Sequence, residues 1–126
     1  MLFRSTYHVG IIIGEATRAA APSWATLELD LIAVKGKQEA VRIYALLGDA
    51  AMAQSVDFVA HVARHDRMLS AYRATDWEAA LEALAECRLY ESGLQGLYEL
   101  YEERIDYFAA NPPEDGWDGV FSPDTK

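Results

Sequence analysis

A chain of 126 residues, 52% hydrophobic and 25% charged, has the length of one domain or two small units and the composition of a folded globular protein. Its 20 acidic residues against 11 Lys and Arg leave a formal charge of −9, the wrong sign for neutralising a phosphate backbone, so no nucleic-acid partner is expected. A lone cysteine, Cys87, cannot close an intramolecular disulfide, and apolar runs such as Val9 to Ile13 fall far short of the roughly 18 residues a membrane span needs; a cytoplasmic chain without a membrane segment is the expectation.

Leu2-Phe3-Arg4-Ser5 is what a common sequencing adapter would encode, so the native amino terminus is expected upstream and elements are read from Thr6 onward. Charge marks a boundary near Gly48. Residues 1–50 balance five basic against five acidic side chains, and the remainder carries the whole negative excess. Composition changes from β-branched to alanine-rich at the same place, which predicts two units, 6–48 and 50–126.

The first unit reads as strand, helix and β-hairpin. Val9 to Ile13 is a β-branched run expected to be a strand buried on both faces. Glu15 to Ala21 predicts a short helix with an acid in its first turn and Pro22 at its end. Leu27, Leu29, Leu31 and Ala33 alternate with Glu28, Asp30 and Ile32, the period of a strand with one polar face. Val41, Ile43 and Ala45 alternate in the same way with Arg42, Tyr44 and Leu46. Between the two, Lys35-Gly36-Lys37-Gln38 offers a glycine where a tight turn needs one.

The second unit reads as three helices. Phe58, Val62, His65, Leu69 and Tyr72 form one stripe over about residues 55–73. Thr75 and Glu78 have capping-box spacing, so a second helix should start there and bury Trp77, Leu81 and Leu84, with Ser92-Gly93 breaking it. Leu94, Leu97, Tyr98, Tyr101, Ile105 and Phe108 form the third stripe, opposite a solvated face of Glu99, Glu102, Glu103 and Asp106. Pro112-Pro113 stops that helix. Trp117, Val120 and Phe121 are expected to pack back onto the bundle.

Pattern alone yields no active site. Asp57, His61 and His65 share a helix face, but His65 lies in the apolar stripe and His-Glu-x-x-His is absent, so core packing is the reading and no metal is assigned. Cys87 lacks a Cys-x-x-Cys partner and reads as a core thiol. Neither His8 nor Ser92 has a nucleophile–base neighbourhood. Lys35 and Lys37 are the exception, because two ammonium groups flank a glycine at a turn in an acidic protein, a place where a backbone can approach a phosphate.

Three segments together resemble the end of a class III adenylate/guanylate cyclase catalytic domain: Gly10-Ile11-Ile12-Ile13-Gly14-Glu15-Ala16-Thr17-Arg18, Leu27 to Lys37, and Glu39 to Gly48. They correspond there to a late strand, a helix and the last β-hairpin. The second half is similar to the helical, tetratricopeptide-like extension of bacterial cyclases that carry a CHASE-type sensor. The resemblance implies an α+β fold: the terminal strand–helix–hairpin remnant of a ferredoxin-like cyclase domain, followed by a three-helix extension. It implies a phosphorus–oxygen lyase parent, anchored in the inner membrane with its cyclase domain in the cytoplasm and dimeric through that domain, which makes cyclic AMP, or cyclic GMP, and pyrophosphate from the nucleoside triphosphate in intracellular signal transduction.

Such an enzyme uses two metal-binding aspartates, a purine-selecting pair and an Asn-x-x-x-Arg helix, and these 126 residues contain none of them. Mg or Mn is accordingly expected in the parent, with no cofactor on this chain and no turnover by it alone. Of the family's functional residues, a triphosphate-contacting lysine maps onto Lys35, with Lys37 second. The competing expectation is a non-enzymatic helical protein-interaction module.

Overall fold

A computed structural model describes residues 6–33, 39–90 and 93–121. The fold is α+β, with a three-stranded antiparallel sheet and five helices among the described residues. Strand β1 spans Ile12–Gly14, helix α1 Glu15–Ala20, β2 Ala25–Ile32 and β3 Val41–Gly48; helices α2 (Ala50–Ala53), α3 (Val56–Arg73), α4 (Trp77–Cys87) and α5 (Gln95–Ala110) follow.

The sheet order is β1-β3-β2, and β3 pairs antiparallel with both neighbours. β1 and β2 therefore run parallel, with α1 as the connection between them and β3 inserted in the gap. This is a split β-α-β unit. β1 is short and lies at the sheet edge. Its residues are half-buried and Ile11 before it is 53% exposed, which corrects the expectation of a strand buried on both faces. Among the described strands β1 pairs with β3 alone, and β-branched composition reveals neither that edge position nor how far each face is covered.

The alternation predicted for β2 holds through Leu29 and then reverses. Glu28 pairs with Tyr44 and Asp30 with Ile43, so Leu29 is an extra residue, a β-bulge. One added residue moves every later side chain to the other face. Asp30 and Ile32 thus join Leu27 and Leu29 in the interior, Leu31 is half-buried and Ala33 is exposed. The aspartate expected on the polar face is fully buried.

The helices follow their stripes, with two corrections. Ser55 caps α3 by accepting the Phe58 N–H. At α4 the cap is Asp76, whose Oδ1 accepts from Ala79 N at 3.2 Å, while Thr75 is held at φ 61° in the turn before it. A carboxylate is an equally good cap, and its place one residue later rotates the helix start away from the Thr75–Glu78 box. Leu81 faces outward at 36% exposure, and Ala80, Ala83, Leu84 and Cys87 form the side buried against the neighbouring helices. In α5 the buried face holds Leu97, Tyr98, Tyr101 and Ile105 as expected, and also Arg104.

One apolar cluster runs across the position where charge and composition change. It joins Leu27, Leu29, Ile32, Ile43 and Ala45 of the sheet to Met68, Tyr72, Leu84, Leu97 and Tyr101 of the helices. Tyr72 is its aromatic hub, meeting Tyr101 and Trp117 edge-on at 5.3 and 5.5 Å. The segment after α5 returns as expected: Trp117 and Phe121 pack against this cluster. Phe121 also adds a parallel bridge to Ile32, accepting from Ala33 N and donating to Leu31 O. The open edge of β2 is covered at that point.

Candidate functional site

Lys35 and Lys37, and the turn they flank, lie outside the described residues. The strands on either side are described. β2 and β3 pair antiparallel up to Ile32 and Val41, so residues 33–40 connect neighbouring strands of one ladder.

On the face of this ladder away from the main core, α1, the two strands and α3 enclose a polar cleft of about 260 Å³. Glu28 lies at its centre, its side chain only 17% exposed. Its Oε2 accepts from Arg42 Nη1 at 2.6 Å and stands 2.7 Å from Arg73 Nη2. Arg18 comes from α1, donates weakly from Nε to Thr26 Oγ1 at 3.4 Å, and lies 4.9 Å from the centre of the Tyr44 ring. Asp66 enters from α3, where desolvation, reinforced by the Glu28 charge, raises its carboxyl pKa.

Three guanidinium groups, Arg18, Arg42 and Arg73, thus meet two carboxylates, Glu28 and Asp66, in and beside the cleft. Arg18 hydrogen-bonds to neutral Thr26 and lies close enough to Asp66 for their charges to interact. The carboxylates are a poor metal set, because Glu28 Oε2 already lies against both Arg42 and Arg73. Among the described residues no group of three His, Cys, Asp or Glu side chains is placed to hold a metal ion.

The histidines have a structural task. Glu28 carbonyl oxygen can only accept, so His65 Nε2 beside it carries the proton. His65 Nδ1 then accepts from the Tyr98 hydroxyl at 2.9 Å, and that oxygen accepts from His61 Nε2 at 2.8 Å. Desolvation pushes both imidazoles down to about 4, so they are neutral at physiological pH, as this bonding pattern requires. Asp57 stays exposed and takes no part. Cys87 is a buried thiol pushed up to about 11 by desolvation, against the opposing Tyr98 hydroxyl, and so is a poor nucleophile. His8 is exposed at the amino end, and Ser92 lies outside the described residues.

A second buried network escaped sequence reasoning. Asp30 Oδ2 accepts from Arg104 Nη1 and from the Tyr7 hydroxyl, each at 2.6 Å, while its Oδ1 takes Leu31 N. The Arg104 guanidinium also lies 3.6 Å from the centre of the Phe121 ring. Desolvation and the Asp30 charge raise the Tyr7 phenol above its ordinary range. A signal for Arg104 was present: it stands three residues after Tyr101 and four before Phe108, on the apolar stripe. Asp30 carried none, since only the bulge turns it inward.

The chain has no significant match among protein-family models, curated proteins or solved structures. Among the described residues no helix is long and apolar enough to cross a membrane.

Proposed function

We propose that this chain carries the C-terminal end of a class III nucleotidyl cyclase domain and a helical extension of it, within a parent enzyme that converts ATP, or GTP, into the cyclic monophosphate and pyrophosphate. The observation that supports this most is the split β-α-β unit. The three segments resembling the family fall in turn on β1 with α1, on β2, and on β3, and the two strands that flank the lysines form one antiparallel ladder. A ferredoxin-like sheet is built from such units.

In this reading Lys35, with Lys37 second, neutralises the triphosphate, and Glu28 and Arg42 of the polar cleft stand on the two strands that flank those lysines. The ligands for Mg or Mn, the purine-selecting pair and the Asn-x-x-x-Arg helix belong to the parent, as does the dimer through its cyclase domain. The genomic reading frame extended upstream of Val9 is the test. Paired metal-binding aspartates and Asn-x-x-x-Arg in that frame are the expected result, and a frame encoding neither overturns the proposal.

A further inference from the structure

Residues 111–121 fold back along α5 and leave between them an open groove of about 900 Å³. Its floor is aromatic: the Phe108 and Trp117 rings lie 5.4 Å apart, and Tyr107 beside them is 45% exposed. Its rim is acidic, with exposed Glu103, Glu114 and Asp115. Between residues 99 and 121 seven acidic side chains face one basic residue, Arg104, and that guanidinium is already paired with Asp30. Glu102 is matched by Arg88, whereas Glu103, Glu114 and Asp115 of the rim have no ion-pair partner among the described residues.

These features select one kind of occupant. Carboxylates and ring faces attract a guanidinium or ammonium, and aromatic walls cover its methylene stem. A simple organic cation meets the first need but brings no apolar neighbours to cover the aromatic floor. An anion is repelled by the rim. We propose that this groove docks a basic peptide segment, an arginine between apolar residues, whose side chain meets the acidic rim and whose apolar neighbours cover the Phe108 and Trp117 rings. The proposal rests on the groove alone and stands apart from the cyclase reading.

The test is an NMR titration of the full chain with acetyl-Leu-Arg-Leu-amide, read at the Trp117 indole N–H, with Trp24 outside the groove as reference. A saturable shift at Trp117 is expected, several-fold weaker with the neutral citrulline peptide and with tetramethylammonium. Exchanging Glu103→Gln, Glu114→Gln and Asp115→Asn together should weaken the arginine peptide by about three- to tenfold, since exposed pairs are individually modest, and leave the citrulline peptide unaffected. These three side chains are exposed, so the variant keeps its fold. Equal affinity for the citrulline peptide or for tetramethylammonium, unchanged affinity in the triple variant, or no shift at Trp117 with millimolar peptide would each overturn the proposal.

Discussion

Arg104 on α5 reaches Asp30 on β2 with Nη1 2.6 Å from Oδ2, joining helix and sheet through an ion pair whose side chains are 6% and 0% exposed. Two charges so far from water are tolerable only together. The Tyr7 hydroxyl and Leu31 N–H complete the acceptor side.

Removing either partner strands the other. Asp30→Leu or Arg104→Met should each cost about 3–5 kcal/mol in urea unfolding. The double variant Asp30→Leu with Arg104→Met, which leaves no buried charge, should be more stable than at least one single. Strictly additive losses in this double-mutant cycle would contradict a mutually dependent pair.

The neutral histidine chain makes stability depend on pH. Both folded-state values lie near 4, below the ordinary 6.5, so the unfolded chain takes up protons first as pH falls. Their contribution is complete above about pH 6.5 and is lost between there and about pH 4, at up to about 1.4 kcal/mol per pH unit for each ring. Imidazole 15N resonances should show both rings neutral at pH 5.5, with the His65 proton on Nε2. Tyr98→Phe removes the hydroxyl between the rings and should cost roughly 2–4 kcal/mol, because two buried ring nitrogens lose their partner. A variant as stable as wild type would show that the chain of bonds is not formed.

Gly119 marks where the C-terminal segment meets α3. It holds φ +86°, and a Cβ there would lie 2.4 Å from Arg73 Cγ, on the side chain that also stands against Glu28. Gly119→Ala should therefore cost about 1–3 kcal/mol. At Gly116, with φ +82° and open space around the Cβ position, the loss should be smaller. Equal losses at both would mean that backbone strain alone, and not the approach to Arg73, governs the site.

How far these features were legible in the sequence depends on how local their causes are. The stripes of α3 and α5 and the order strand–helix–hairpin follow from periodicity, which neighbouring residues determine. The inward turn of Asp30 depends on a single extra residue in β2, and its partner stands 74 positions away. No window of the sequence contains both. The Asp76 cap was missed for a smaller reason, since Thr75 and Glu78 offered an equally plausible box one position earlier. Sheet order was not legible either: β1 looked like a central strand because its residues are β-branched, although it pairs with β3 alone among the described strands. The cleft around Glu28 combines residues from four elements, and none of its lining residues was singled out as a site in the sequence, where attention fell on Lys35 and Lys37.

The cyclase proposal is most directly tested by steady-state kinetics on the enzyme expressed from the extended reading frame, in parallel with the 126-residue chain. The shorter chain should form no cyclic nucleotide from ATP or GTP with either Mg or Mn. In the whole enzyme Lys35→Ala should lower kcat/KM by about ten- to hundredfold, the worth of a charge-assisted phosphate contact, without changing the unfolding midpoint, and Lys37→Ala should do less. Wild-type efficiency in Lys35→Ala would contradict the account and leave the hairpin lysines as solvated turn residues.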